Sequence, residues 1–165
     1  MKTLLTASLV ALLAVTAQAA PPTLAIGTPA GIKAEVAKHK GKVVVLNFWA
    51  TWCGPCKAEF PDMVATAKKK GADLITVAID DRSDSAKAVK FLESNGVAKY
   101  AFINKDGSEF DPGYLKWLSP TSDGGSVAIP LTFVFSKTGK VVQQAVGAQS
   151  EAEFAKMIDK AAKAK

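Results

Sequence analysis

Only two cysteines and one histidine occur in the 165 residues of this chain, and that scarcity excludes several chemistries. A structural zinc site takes four protein ligands, drawn mostly from Cys and His. Cys53, Cys56 and His39 cannot supply them. With the first residue set aside, the only methionines are Met63 and Met157, so no Met-rich copper site can form. Copper(I) held by the two thiolates alone stays open. His39 sits in GIKAEVAKHK, a Lys-bearing amphipathic stretch, and reads as an exposed helix residue rather than a ligand. The chain also lacks a disulfide framework. Cys53 and Cys56 stand three positions apart, so a bridge between them closes almost no loop and adds little chain-entropy stabilisation. The pair is better explained by reactivity than by stability.

Long apolar runs are equally scarce. The only one is Leu4 to Val15 (LLTASLVALLAV), behind Lys2 and ahead of Ala17-Gln18-Ala19. A positive start, a short apolar centre and a small-x-small site make a secretory signal cut after Ala19, with a periplasmic product. An uncleaved anchor helix is the alternative, although a bilayer span takes ~20 apolar residues. This divides the chain into a signal at 1–19, a lead-in at 20–41 and one domain at 42–165. Acidic residues are outnumbered, 15 against 21 basic ones, for a formal net charge of +6; removing Lys2 with the signal leaves +5. The lysines, among them Lys68-Lys69-Lys70, are spread over helix faces and turns as solvated charge usually is. No nucleic-acid motif accompanies them, so the charge supports at most a weak preference for acidic partners.

What remains is a foldable domain: 48% of residues are hydrophobic and 22% charged, which excludes wholesale disorder. Pro21 to Gly31 reads as a loose lead-in and Gly31 to Lys40 as a short helix. Val43 to Phe48 (VVVLNF) and Leu74 to Ile79 (LITVAI) are unbroken apolar runs, the pattern of strands buried on both faces. A helix is expected from near Cys53 to about Lys70, kinked at Pro61, and another from Ser83 to Asn95, ended by Gly96. Tyr100 to Asn104 is a short strand candidate. Asp111-Pro112 starts a helix, Asp as N-cap and Pro at the first helical position. Thr121 to Ser126 (TSDGGS) is a loop. Thr132 to Ser136 and Val141 to Val146 flank a hairpin turn, and Ser150 with Glu153 forms a capping box for a last helix from about Glu151 to Ala162. Strands alternating with helices indicate an α/β sheet covered on both faces.

The cysteines lie where a buried strand gives way to a helix. Backbone N–H groups and the helix dipole favour a thiolate on the first cysteine. Cys53 is therefore expected to be the exposed nucleophile and Cys56, one turn in, the buried resolving thiol. The intervening Gly54-Pro55 carries no side-chain donor or charge. Trp52 is expected to flank the exposed sulfur and offer substrates a flat contact. Trp49, Phe48 and Phe60 are assigned to the core.

The string LNFWATWCGPCKAEFP, Leu46 to Pro61, is similar to the TlpA/ResA/CcmG (DsbE) branch of the thioredoxin superfamily, and the resemblance extends over about Lys42 to Lys160. It implies a thioredoxin fold: a central mixed sheet, helices on both faces, and an inserted segment before the half that carries a cis-proline. Ile129-Pro130 falls at that point, with Pro130 facing the cysteines and the Ile129 main chain available to an extended substrate. By analogy with thioredoxin, Gly54-Pro55 implies a reductase rather than an oxidant. Asn47 stands where thioredoxins carry a buried Asp, and Glu59, three residues after Cys56, matches a glutamate of the ResA-like proteins that influences the site. Glu59 could then accept the Cys56 proton; a solvated helix glutamate is the plain alternative. A monomer with no cofactor is expected, and the resemblance further implies a membrane electron donor of the DsbD or CcdA kind, and protein disulfide substrates such as apocytochrome c before haem attachment. A general thiol oxidant or reductase, or a copper(I)-handling module on the same cysteines, remains the alternative. The segment GYLKWLSPTSDGGSVAIP, which contains Trp117, departs from the family pattern. Its place before Pro130 puts it on the rim of the site, either to select substrates or as a plain surface insertion.

Overall fold

A computed structural model describes residues 23–97, 99–107, 110–119 and 127–164; the expected signal and the Thr121 to Ser126 loop lie outside them. In chain order the elements are β1 (Ala25–Gly27), α1 (Pro29–Lys38), β2 (Val44–Trp49), α2 (Gly54–Lys70) and β3 (Asp73–Ala78). A single 3-10 turn at Arg82–Asp84 leads into α3 (Ser85–Ser94). Then come β4 (Ala101–Asn104), α4 (Pro112–Leu118), β5 (Leu131–Phe135), β6 (Val141–Val146) and α5 (Glu151–Lys163). The strands form one sheet in the order β1-β4-β3-β2-β5-β6. The first four positions are parallel to one another, and β5 and β6 are antiparallel additions. This is the mixed sheet of the expected thioredoxin fold.

All six residues of β2 are buried, because the strand is central and covered on both sides. Successive strand residues point to opposite faces, and the contacts divide accordingly. Trp49 packs on Phe60 of α2 and Phe91 of α3, with ring centroids 5.2 and 4.9 Å apart. Phe48 packs the other way, on Tyr114 of α4 at 4.9 Å and Phe110 at 5.1 Å. One layer thus holds α2 and α3, joined by α5, which packs on α2. The other holds α4, with α1 against it. Two helix boundaries rest on local chemistry. Gly71 ends α2 in the left-handed region at φ 66° and donates its N–H to the Ala67 and Lys68 carbonyls, a conformation that costs glycine no Cβ clash. The Ser150–Glu153 capping box opens α5.

Two expectations fail near the N-terminus. The lead-in is not all loose: Ala25–Gly27 is an edge strand that pairs in parallel with Phe102 to Asn104 of β4. Three residues are too few to show a period, and their partner is remote in sequence. The same stretch hides a helix start. Thr28 accepts a hydrogen bond from Gly31 N–H at 3.1 Å and Pro29 takes the first position, so α1 begins two residues before Gly31. His39, in turn, is not exposed. It caps the C-terminal end of α1 and is buried, with Nδ1 2.7 Å from Asp73 Oδ2 and Nε2 3.4 Å from Glu35 Oε1. Its ring meets Tyr100 edge-on at 4.5 Å. Asp73 opens β3, so only the folded sheet brings acid and imidazole together. Burial pushes the Asp73 carboxyl up, but hydrogen bonds and charge from His39 and Lys42 outweigh it and leave the group below the ordinary carboxylate range.

Candidate active site

The reactive pair sits at the junction of β2 and α2. Cys53 is the N-cap of α2, extended at φ −85° and ψ 104°, and its Sγ accepts the Cys56 N–H at 3.2 Å. That hydrogen bond, with the positive end of the helix, stabilises negative charge on Cys53. The two sulfurs are bridged, with S–S 2.05 Å and Cα–Cα 5.3 Å. Cys56 is fully buried, while Cys53 is 6% exposed. The expected order of access holds, but Cys53 is far more covered than an exposed nucleophile should be. Part of the cover is the segment before β5: the Ile129 carbonyl oxygen lies 3.9 Å from Cys53 Sγ. A bridged sulfur has no proton to donate, so this is a contact and not a hydrogen bond.

Ile129-Pro130 is cis and stands directly ahead of β5, whose Leu131 pairs with Phe48. Gly147 N–H donates to the Pro130 carbonyl at 2.9 Å and holds the segment from the β6 side. Gly54 and Pro55 are exposed, and a Cβ at Gly54 would meet open space. Trp52 is 60% exposed, the projecting apolar surface expected of it. The structure therefore gathers Trp52, Cys53, Gly54, Pro55, Ile129 and Pro130 at one end of the sheet.

Glu59 is not a solvated helix residue: it is 4% exposed. Its Oε1 accepts from Asn47 Nδ2 at 3.1 Å and its Oε2 from Gln149 N–H at 2.8 Å. Asn47 Nδ2 also donates to Thr132 Oγ1 at 3.0 Å, while Asn47 Oδ1, buried too, has no partner among the described residues. Burial raises the Glu59 pKa, and the bonds from Gln149 and Asn47 offset only part of the rise. A carboxyl held closer to the thiol range is better matched for exchanging a proton with a cysteine. Glu59 follows Cys56 by three positions on α2, so the two share a helix face.

Trp117 stacks over Phe135 at 5.8 Å, at the end of β5 remote from Pro130; the Gly-rich loop expected on the rim lies outside the described residues. Gln149 and Thr132 were not legible in the sequence. Gln149 contributes only a main-chain N–H, and nothing in residue identity marks that. Among the described residues no three His, Cys, Asp or Glu side chains converge on a point that could hold a metal ion. Two bridged cysteines at a helix N-terminus, the Ile129 main chain against the first of them and a buried carboxyl on the same helix suit thiol–disulfide exchange.

Comparison with known proteins agrees. The Redoxin family matches residues 16–160. Thiol-disulfide oxidoreductase ResA of Bacillus thuringiensis (strain Al Hakam) is 30% identical over 136 residues, 81% of this chain and 71% of that protein. Thiol:disulfide interchange protein HelX of Rhodobacter capsulatus is 32% identical over 119 residues, covering 72% and 60%. Among solved structures, a thioredoxin-family thiol:disulfide interchange protein from Chlorobium tepidum TLS superposes with a TM-score of 0.60 at 30% identity, covering 76% of this chain and 83% of that one.

Proposed function

The chain belongs to the Redoxin family, and on that premise we propose that it acts mainly as an exported reductase of protein disulfides, with Cys53 as the attacking thiol. It is a thiol-disulfide oxidoreductase of the thioredoxin superfamily acting on protein disulfides. The direction rests on one observation: the residues between the sulfurs, Gly54 and Pro55, are exposed and bring no side-chain donor or charge to the Cys53 thiolate. A strong oxidant needs its dithiol form stabilised, and the main-chain N–H of Cys56 is a modest source of that stabilisation.

In the dithiol form, Cys53 thiolate attacks one sulfur of a substrate disulfide and the other sulfur leaves as a thiolate. Cys56 gives its proton to the Glu59 carboxylate and attacks Cys53 Sγ. The second substrate thiolate leaves, and the Cys53–Cys56 bridge remains. Two electrons pass from the protein's dithiol to the substrate, so each turnover needs renewed reduction. The resemblance to the ResA and CcmG proteins supports a membrane donor of the DsbD or CcdA kind for that step, and apocytochrome c as a substrate. The Ile129 main chain and the Trp52 face give an extended substrate segment hydrogen bonds and apolar contact. Export rests on the segment ending at Ala19, with cleavage after it and a periplasmic, monomeric product. Among the described residues no helix is long and apolar enough to cross a membrane.

The equilibrium reduction potential of the purified protein tests the direction. A value near the about −270 mV of thioredoxin is expected, whereas one near the about −120 mV of DsbA overturns the reductase reading. Substituting Cys56→Ala should trap mixed disulfides with the physiological substrates, identifiable from cells by mass spectrometry.

A further inference from the structure

Asp80 is fully buried at the end of β3, and the reaction scheme above gives it no part. Burying a carboxylate is costly unless hydrogen bonds replace its water. Among the described residues its hydrogen-bond partner is a single residue. Thr51 N–H lies 3.0 Å from both Asp80 oxygens, and Thr51 Oγ1 donates to Oδ1. Thr51 belongs to the four-residue turn between β2 and α2, in which Cys53 N–H donates to the Ala50 carbonyl at 3.1 Å. One residue earlier, the Trp49 carbonyl accepts from Ile79 N–H at 2.8 Å. The sheet thus holds the exit of β2 at Trp49 and again at Thr51. The next residues are Trp52, which projects into solvent, and Cys53, whose backbone must keep its sulfur over the Cys56 N–H.

We propose that Asp80 is a positioning residue for the reactive turn, fixing Thr51 so that Trp52 faces the substrate and Cys53 caps α2. This rests on the reductase reading of the same site. Burial, and to a lesser degree the charges of Asp84 and Asp81, push the Asp80 carboxyl above its ordinary range, so its bonds to Thr51 are what make the buried carboxylate tolerable. Lys87 is exposed and bonded to Asp84. A loosened turn weakens the cap on the Cys53 thiolate, which raises the thiol pKa, and it misplaces Trp52, which weakens substrate binding.

Three variants of the full chain test this: Thr51→Val, which removes the hydroxyl and keeps the Asp80 charge, Thr51→Ser, which keeps both, and Asp80→Asn. Two readouts separate positioning from plain stability: the pH dependence of Cys53 alkylation in the reduced protein, and the split between KM and kcat with a protein disulfide. Thr51→Val is expected to raise KM about tenfold, with kcat little changed, and to shift Cys53 alkylation to higher pH. Thr51→Ser should match the unsubstituted protein, and Asp80→Asn should raise KM at least as far as Thr51→Val. The proposal is overturned if Thr51→Val matches the unsubstituted protein, if Thr51→Ser behaves like Thr51→Val, or if Asp80→Asn leaves KM unchanged. It is also overturned if the variants only lower the melting temperature. Should the unsubstituted protein fail to reduce protein disulfides, the reductase reading falls. The alkylation profile of reduced Cys53 still reads the effect of Thr51 on the turn.

Discussion

Replacing Glu59 separates a proton acceptor from a structural tie. In Glu59→Ala the Gln149 N–H and one bond of Asn47 Nδ2 lose their acceptor. An orphaned buried donor costs about 1–3 kcal/mol, and the lost methylenes add to it, so a destabilisation of about 3 kcal/mol is expected. Glu59→Gln is different. Its carbonyl can keep the Gln149 bond, and its amide N–H can meet Asn47 if that side chain turns over and presents Oδ1, which has no partner among the described residues. Thr132 Oγ1, now an acceptor for Asn47, can then donate to the same oxygen. Stability near neutral pH should therefore stay within about 1 kcal/mol. The pH dependence has a definite sign. The folded pKa of Glu59 lies above its unfolded value of 4.5, so the folded state binds the extra proton. Stability from this group is present below 4.5 and is lost as pH rises through the folded pKa. Glu59→Gln escapes that loss, so it should gain on the unsubstituted protein as pH rises from acid to neutral. Denaturant unfolding across pH measures this, and stopped-flow release of a trapped mixed disulfide measures the chemistry. Without the carboxylate, resolution by Cys56 should slow by about a hundredfold at neutral pH, with the first attack by Cys53 little affected. An unchanged resolution rate in Glu59→Gln would refute the proton-acceptor role. A flat stability difference across pH would refute the electrostatic reasoning.

Trp52→Ala should leave stability within about 0.5 kcal/mol, since the side chain is exposed, yet raise KM for protein disulfides relative to a small disulfide. Ser150→Ala breaks the capping box by removing the Oγ that accepts from Glu153 N–H at 3.4 Å, and should cost about 1 kcal/mol in denaturant unfolding. His39→Ala removes a partner of Asp73. Because the Asp73 pKa is lowered, its contribution is present above 3.8 and lost as pH falls through the folded value, so the variant's deficit should shrink in strong acid. A deficit that grows on acidification would contradict the pairing.

The legible features share one property: their physics is local. Cys53 and Cys56 are spaced to share the first turn of a helix, and the apolar run ahead of them had to be a buried strand, so the junction could be read directly. The Ser150–Glu153 box is likewise a signal within one turn. Thr28-Pro29 is a signal of the same kind, masked by the Pro and Gly residues around it, which by themselves suggest a loose lead-in. The cover over Cys53 is not legible for the opposite reason, since Ile129, which lies against it, comes 76 residues later.

The sequence by itself determined that this chain carries one reactive pair at the head of a helix, with no side-chain donor between its cysteines. Short-range geometry and residue chemistry are enough for that. Only the tertiary structure decided what surrounds the pair. Glu59 is a buried acid because Gln149, 90 residues away, donates to it. His39 is a buried partner of Asp73 across 34 residues, and Asp80 reaches Thr51 across 29. Whether a polar side chain is solvated or buried depends on which distant segments the sheet order places over it, and that follows from the packing of the whole core.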